Sequence, residues 1–449
     1  MTSLLNEVDW KAEGDRCVEL LQRLIRIPTV NPPGNEKPAA ELLAEFLREA
    51  KVEPQVFESE PGRASLVARV KGDGSAPPLL LAGHIDVVEA DASQWKHDPF
   101  SGEIADGCIW GRGAVDMKNM VAMSACLLSM IARSGVKLRR DVIFAAVADE
   151  EAGCEKGSHF LVNEHADLVR AEYMLGEVGG FSLHMKGRTF YPIMVAEKGI
   201  VWVRAKFRGQ PGHGSMPRED SAVVRAADAI SRLGHTRLPV HRTEAAQRFV
   251  RALGEHLPLP ASAVLPRLTD PVLGKVILER LVEPAQRRVL STYLSNTATP
   301  TVVRAGAKTN VVPGEATVEI DGRTLPGQTE EGFLRELRDV LGSEVELQVM
   351  RSMPPVETSP DTPLFEALSA AIRKHDPDGH PVPYLVPGFT DAKAFSRLGT
   401  KCYGFVPVKL DPDVSFAGLY HGNDERIPVE GLKWGLRVLA DAVVGFCSP

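Results

Sequence analysis

The sequence lacks several features that would point to particular classes of protein. Its strongest apolar runs, residues 78–82 and 121–132, are shorter than the roughly 18–20 residues that a membrane-crossing helix needs. Basic residues are not in excess, because 52 lysines and arginines stand against 59 aspartates and glutamates and give a formal net charge of -7. A mildly acidic chain has no electrostatic reason to bind nucleic acid or an anionic membrane. We therefore expect no nucleic-acid partner and no membrane partner.

Cysteines are few and are not spaced in pairs. They stand at Cys17, Cys108, Cys126, Cys154, Cys402 and Cys447. Scattered thiols are typical of buried cysteines in a reducing compartment, and they disfavour both a disulfide framework and a cysteine-zinc site. The first ten residues carry acidic side chains and not the basic stretch that precedes the apolar core of a secretory signal. These features together predict a cytoplasmic protein.

The length and the pattern of elements predict two domains. A chain of 449 residues exceeds the size at which a single hydrophobic core stops growing. In its first part, helical patterns alternate with short apolar runs. One such run, residues 142–148, is continuous and bounded by charges, as expected of a buried parallel strand. This alternation predicts an α/β fold with a mainly parallel sheet and helices on both faces.

The pattern changes near Val195 and changes back near Pro355. Between these points the candidate elements follow the order β-α-β-β-α-β, which is typical of a split βαβ, ferredoxin-like α+β domain with an antiparallel sheet. A mostly helical stretch from about residue 235 to 295 interrupts that order. We therefore predict one α/β domain from residues 1–194 and 356–449 and an inserted domain at residues 195–355.

Acids and histidines follow several of the apolar strands. In LLLAGHIDVV, a strand runs into His84, and Asp86 follows two residues later on the same face. The carboxylate of Asp86 is thus placed to orient the His84 imidazole while the other ring nitrogen faces a metal. An HxD pair also closes many ordinary strands, so this motif alone is a weak signal.

Further segments add carboxylates and a second histidine. WGRGAVDMKN places Asp116 ahead of a helix, where it is either a site residue or a helix cap. VADEE delivers three consecutive acids, residues 149–151, from a buried strand, and such a run is unfavourable unless a cation or solvent offsets the charge. LGEVGG contains Glu177, and LYHGNDERIP contains His421.

Imidazole and carboxylate groups without thiolate suit Zn²⁺, with Co²⁺ or Mn²⁺ as substitutes. Five ligands are too many for one tetrahedral zinc ion that keeps an open position. They fit two ions about 3.5–4 Å apart that share a carboxylate. The predicted ligands are His84, Asp116, Glu151, Glu177 and His421.

With these segments in place, the sequence resembles the M20 metallopeptidase family, which includes aminoacylase-1, succinyl-diaminopimelate desuccinylase, acetylornithine deacetylase, glutamate carboxypeptidases and carboxypeptidase S. The motifs GHIDVV, GRGAVDMK, DEEAG, GHGSMP, TNVVPGEA and DGR occur in the family order. The likeness extends from TVNPPG to HGNDERIP and so covers nearly the whole chain. The resemblance implies a dinuclear zinc hydrolase whose inserted domain is a lid and a dimerisation domain, and therefore a homodimer.

The resemblance also implies a role for each residue of the metal site. Asp116 would bridge the two ions, and the peptide bond that follows it would be cis. Glu150 would be the general base, and Asp86 would orient the first histidine ligand. The remaining metal ligands would be His84, Glu151, Glu177 and His421.

Further residues match substrate-contacting positions of the family. His213, in GQPGHGSMP, would reach the active site, often that of the opposite subunit, and stabilise the oxyanion. Asn310 and Arg323 would contact the substrate, and the planar guanidinium of Arg323 suits a carboxylate. Gly388 and Thr390 match a substrate-binding loop. Without the resemblance, His213 would be interpreted as a surface histidine in a Gly/Pro loop.

The sequence departs from the family pattern without losing a metal ligand. Cys154 replaces a common glycine, Asp220–Ser221 replaces an acidic–Asn pair, and no proline follows Glu177. The EVGG and HGNDERIP segments look most like carboxypeptidase S and relatives that hydrolyse N-acyl amino acids, so we predict an aminoacylase-type deacylase. A dipeptidase or carboxypeptidase acting on short peptides is the alternative. A catalytically inactive binding protein of the same fold is a third.

Overall fold

A computed structural model of the chain describes residues 4–270, 272–280, 282, 284–414 and 416–449. The first three residues lie outside this part, as do positions 271, 281 and 283 of the predicted helical stretch. The chain divides into two compact units. The first unit comprises Met1–Val195, Thr358–Tyr384 and Thr390–Pro449, and the second comprises Ala196–Glu357 and Leu385–Phe389.

The first unit begins with alternating helices and strands. Its helices up to residue 195 are α1 (Leu4–Glu7), α2 (Trp10–Ile25), α3 (Lys37–Glu49), α4 (Lys118–Ser134), α5 (Ser158–Glu164) and α6 (Ala166–Val169). The strands of the same stretch are β1 (Gln55–Glu60), β2 (Arg63–Val70), β3 (Leu79–His84), β4 (Ile104–Ala105), β5 (Cys108–Trp110), β6 (Val142–Val147), β7 (Tyr173–Gly176), β8 (Leu183–Met185) and β9 (Arg188–Glu197).

The second unit contains a four-stranded antiparallel sheet in the order β12-β14-β10-β15. Its strands are β10 (Gly199–Arg208), β11 (Gly212–His213), β12 (Thr297–Ala305), β13 (Val311–Val312), β14 (Glu315–Thr324), β15 (Glu346–Met353) and β16 (Val356–Glu357). Its helices are α7 (Ala222–His235), α8 (Glu244–His256), α9 (Ala261–Val264), α10 (Leu273–Arg280), α11 (Pro284–Leu294) and α12 (Glu330–Leu341). The elements β10, α7, β12, β14, α12 and β15 follow the predicted β-α-β-β-α-β order.

The chain then returns to the first unit. The remaining elements are α13 (Pro363–His375), β17 (Gly379–Val386), α14 (Ala392–Phe395), β18 (Lys401–Gly404), α15 (Phe416–Leu419), β19 (Arg426–Pro428) and α16 (Val429–Cys447). Helix α16 buries most of its apolar residues, and all six cysteines of the chain are buried thiols. Within the described ranges, no helix has the length and hydropathy that a bilayer-spanning segment requires.

The predicted α/β fold class is confirmed, with a sheet that is mixed. Strands run in the order β1-β2-β6-β3-β7-β18-β9, and the central β6, β3, β7 and β18 are parallel as predicted. The outer pairings β1–β2, β2–β6 and β8–β9 are antiparallel. The pairs β1–β2 and β8–β9 are hairpins joined by two residues, a connection too short for parallel strands.

The parallel centre of this sheet positions the site. Every residue of β3 and β6 is buried, and His84 at the end of β3 pairs with Val147 at the end of β6. Strand β7 ends one residue before Glu177. Because the carboxyl ends of parallel strands meet at one edge of a sheet, His84, the 149–151 acids and Glu177 are delivered to the same place.

Candidate metal centre

One group of candidate ligands forms around His84. Its Nε2 lies 3.1 Å from Oδ1 of Asp116 and 3.6 Å from Oε2 of Glu177. All three side chains are buried. One ligand atom from each residue lies within 4.8 Å of the others, which is close enough for a single metal ion. Burial alone would lower the pKa of His84, but the two carboxylates outweigh it and raise the pKa well above its usual value.

A second group forms around His421 and shares Asp116 with the first. Nε2 of His421 lies 3.0 Å from Oδ2 of Asp116 and 3.1 Å from Oε2 of Glu151. Contact with Asp116, and then with Glu151, raises the pKa of His421 to about 10. Asp116 therefore directs one carboxylate oxygen toward each histidine. The peptide bond between Asp116 and Met117 is cis, as the family resemblance implied.

Glu150 stands beside both groups. It opens a 3₁₀ turn, Glu150–Ala152, which begins three residues after the last residue of strand β6, and its side chain is buried. One of its oxygens lies within 4.8 Å of ligand atoms of His84 and Glu151. Burial raises the pKa of Glu150 well above its usual value, and repulsion from Glu177 adds to this effect. A buried carboxyl with a raised pKa holds a proton more readily than an exposed glutamate does, as a group that accepts and then releases a proton must.

The prediction for Asp86 is wrong in one respect, because its carboxylate does not hydrogen-bond to His84. His84 Nδ1 lies 3.0 Å from the backbone carbonyl oxygen of Asp86, whereas the carboxylate oxygen is 3.7 Å away. The carboxylate instead accepts the backbone N–H groups of Glu150 and Glu151, each at 3.1 Å, and the amide of Asn31 at 2.8 Å. These donors occupy the Asp86 carboxylate, which thus fixes the turn that presents both glutamates.

The residues present fit a divalent metal ion on two grounds. Oε1 of Glu151 and Oε1 of Glu177 are buried, and within the described part of the chain neither accepts a hydrogen bond. Buried carboxylate oxygens without donors are unfavourable unless a cation neutralises them. Carboxylate and imidazole together are also the donor set that zinc and its neighbours in the first transition row accept.

Sequence reasoning missed Glu425, which holds the loop that carries Asp116. Fully buried Glu425 accepts a hydrogen bond from Nη1 of Arg112 at 2.8 Å. It also accepts the backbone N–H groups of Gly113, Val115 and Asp116 at 3.0, 2.7 and 3.1 Å. Burial, together with repulsion from Asp116, raises the pKa of Glu425 to about 7. Its only signal in the sequence was an acid within HGNDERIP.

Replacing Glu425 with alanine is expected to destabilise the protein strongly. The change leaves the buried Arg112 guanidinium and three backbone N–H groups without their acceptor. Removing one partner of a buried ion pair costs about 3–5 kcal/mol, so urea denaturation should show a fall of that size in the free energy of unfolding. Glu430→Ala, at a side chain that is 84% exposed, is the control and should unfold like the wild type. Equal stability of the two variants would contradict this assignment.

The predicted substrate-loop residues fall on either side of a unit boundary. Gly388 lies in the second unit, and Thr390 lies in the first, where it is buried and its hydroxyl accepts the backbone N–H of Ala392 at 3.1 Å. The next residue, Asp391, accepts a hydrogen bond from Sγ of Cys154 at 3.2 Å. Cys154 has a φ of 69°, the left-handed region that favours glycine, which explains the glycine common at this position in the family pattern.

The predicted lid residues lie in the second unit. His213 is exposed on β11, and its Nδ1 lies 2.7 Å from the hydroxyl oxygen of Ser215. Strand β11 pairs with β13, and the backbone N–H of Gly214 next to His213 donates to the carbonyl of Asn310 at 2.9 Å. Arg323 lies on β14, where its guanidinium makes two hydrogen bonds to Asp321 at 2.7 and 3.1 Å.

A buried cluster of imidazoles and carboxylates at the carboxyl edge of a sheet, with a glutamate of raised pKa beside it, defines a metal-dependent hydrolase. Comparison with known proteins leads to the same class. The sequence profile of peptidase family M20/M25/M40 matches residues 80–444. The chain therefore belongs to this family of metal-dependent hydrolases.

Individual relatives support the same placement. The chain is 32% identical to the N-fatty-acyl-amino acid synthase/hydrolase PM20D1 of Xenopus tropicalis, over 96% of this chain and 86% of that protein. It is 25% identical to aminoacylase-1 of Mus musculus, over 91% of this chain and 90% of that protein. The M20 family metallo-carboxypeptidase Sso-CP2 from Sulfolobus solfataricus has the same fold, with a TM-score of 0.73, 17% identity and coverage of 96% of this chain and 99% of that one.

Proposed function

We propose that this protein uses two zinc ions to hydrolyse the amide bond of N-acyl amino acids. The observation that carries the proposal is Asp116, whose two carboxylate oxygens face the histidines of two separate ligand groups. A shared carboxylate of this kind is typical of dinuclear hydrolases. The substrate class is supported by the 32% identity to an N-fatty-acyl-amino acid synthase/hydrolase along nearly the whole chain.

Each ligand group would hold one ion. His84, Asp116 and Glu177 would hold the first, and Asp116, Glu151 and His421 the second. Bound there, zinc would lower the pKa of a water molecule toward about 7 and polarise the amide carbonyl. The same donors also accept Co²⁺ or Mn²⁺.

Glu150 acts as the proton carrier in this proposal. Its carboxylate takes a proton from the attacking water, whose oxygen forms a bond to the amide carbon. The same carboxyl then gives that proton to the amine nitrogen as the carbon–nitrogen bond breaks, so that a free amino acid and a carboxylic acid are released. Asp86 supports both stages, because it holds the backbone of Glu150 through the N–H group at 3.1 Å.

The second unit would supply the substrate contacts. We assign His213 as a donor to the oxyanion, acting from the partner subunit of a homodimer formed through the lid. Its exposed position on β11 and the neighbouring backbone of Asn310 support a role outside the core of the unit. The guanidinium of Arg323, whose orientation is fixed by two hydrogen bonds to Asp321, would bind the substrate carboxylate together with Asn310. Gly388 and Thr390 would border the substrate.

Metal removal tests the proposal. After treatment with a chelator, the protein should release no amino acid from a panel of N-acyl amino acids. Added Zn²⁺ should restore release, because each proposed ligand is a protein side chain that binds the ion reversibly. The measurement is amino-acid release before chelation, after it, and after zinc addition, with dipeptides tested in parallel. Faster turnover of dipeptides would reassign the protein as a peptidase. No turnover of any substrate with two zinc ions bound would favour a binding protein.

A further inference from the structure

Tyr420 contacts one member of each ligand group. Its hydroxyl donates a hydrogen bond to Oε2 of Glu177 at 2.7 Å. Its ring stacks on the imidazole of His421, with the ring centroids 5.0 Å apart and the planes inclined by 26°. The sequence assigned no role to this tyrosine. Its two contacts nevertheless reach the residue that completes the first group and the histidine of the second.

The hydroxyl contact limits how the Glu177 carboxylate can turn. Oε2 is held by Tyr420, and Oε1 is buried and accepts no hydrogen bond from the rest of the described structure. Rotation of the carboxylate would break the bond to the phenol. The tyrosine thus keeps one oxygen of Glu177 available to a cation, which is the effect that outer partners have on metal ligands in general.

The ring contact compensates for the exposure of His421. The side chain of His421 is 49% exposed, so burial does not fix its orientation. Tyr420 lies on one face of the imidazole, and the Tyr420 ring in turn packs against Phe416 at 5.6 Å. Phe416 stacks on Phe181 with centroids 4.0 Å apart and planes inclined by 1°. An aromatic row therefore continues from Phe181 to the imidazole and supports it from one side.

We propose that Tyr420 is a positioning residue that orients a ligand of each metal ion, Glu177 through its hydroxyl and His421 through its ring. This inference rests on the proposed dinuclear site. The two functions of this side chain can be separated. Removal of the hydroxyl should affect binding of the ion held by Glu177, and removal of the ring should affect binding of both ions.

Metal affinity is the measurement that tests this role. Tyr420→Phe should weaken binding of one of two Zn²⁺ ions by about 10–100-fold, as measured by chelator competition, and leave the other unchanged. The visible absorption of the Co²⁺-substituted protein should change for the same ion, because that spectrum reports on ligand geometry and not on stability. Tyr420→Leu should weaken the binding of both ions.

A matched control is Tyr191→Phe, which removes a tyrosine hydroxyl bound to a carboxylate, Asp376, at 2.6 Å elsewhere in the first unit. It should bind both ions as the wild type does. If wild type and Tyr420→Phe bind two ions with equal affinity, the positioning role of Tyr420 is refuted and the dinuclear site is not. A lower unfolding temperature with unchanged affinities and an unchanged cobalt spectrum would also refute it. A wild-type protein that binds fewer than two ions would refute the dinuclear site itself.

Discussion

Replacing Glu150 with glutamine is expected to lower kcat by about 10²–10⁴-fold, the usual contribution of a general acid–base group. Glutamine has nearly the same shape as glutamate, but its amide cannot take a proton from water. The turn that carries residue 150 depends on a backbone N–H bond to Asp86, which the substitution leaves in place. The loss should therefore appear in turnover and not in folding or in metal content.

The neighbouring glutamate provides the comparison. Glu150 and Glu151 share one 3₁₀ turn, and Asp86 holds the backbone of both. Of these two glutamates, Glu151 is the one that contacts the imidazole of His421, at 3.1 Å. Glu151→Gln should therefore bind less metal, whereas Glu150→Gln should retain two ions by elemental analysis. An active Glu150→Gln protein with its full metal content would remove Glu150 from the mechanism.

Asp116→Ala is expected to abolish both metal binding and turnover, a larger effect than the loss of any other single ligand. Asp116 belongs to both ligand groups, with Oδ1 at 3.1 Å from His84 and Oδ2 at 3.0 Å from His421. Its hydrogen bond to Glu425 is made by the backbone N–H group, so the loop keeps this anchor when the side chain is removed. The loss of metal can thus be attributed to the carboxylate.

The metal content of Asp116→Ala is to be compared with that of two variants that each lack a ligand of one group, and with that of one control. Glu177→Ala and His421→Ala each remove a ligand of one group only, so each should retain one ion more tightly than Asp116→Ala does. Asp106→Ala replaces an aspartate whose side chain is 70% exposed and should keep wild-type metal content. Elemental analysis after dialysis, together with kcat, distinguishes these cases. Asp116→Ala protein that retains two ions would show that the two groups do not share this carboxylate.

Local spacing within the sequence was sufficient for most of the fold. Continuous apolar runs identified β3 and β6, because burial of a strand on both faces leaves an unbroken apolar run. The order of elements identified the β-α-β-β-α-β unit. The sequence also located His84, the 149–151 acids and Glu177 at or just after the ends of strands. The mixed sheet was not predicted, because the apolar pattern of a strand does not state the direction of its neighbours.

Contacts between distant segments were decided by the tertiary structure alone. The Asp86 carboxylate binds Asn31, 55 positions earlier, and residues 150 and 151, so it is not the partner of the imidazole two residues away. Glu425 anchors a loop more than 300 positions earlier, and Tyr420 reaches Glu177 across 243 positions. The sequence determines which chemical groups are present and which element carries each, whereas the packing of the elements determines which donor meets which acceptor. Hydrogen-bond partners at such separations leave no periodic signal in the sequence.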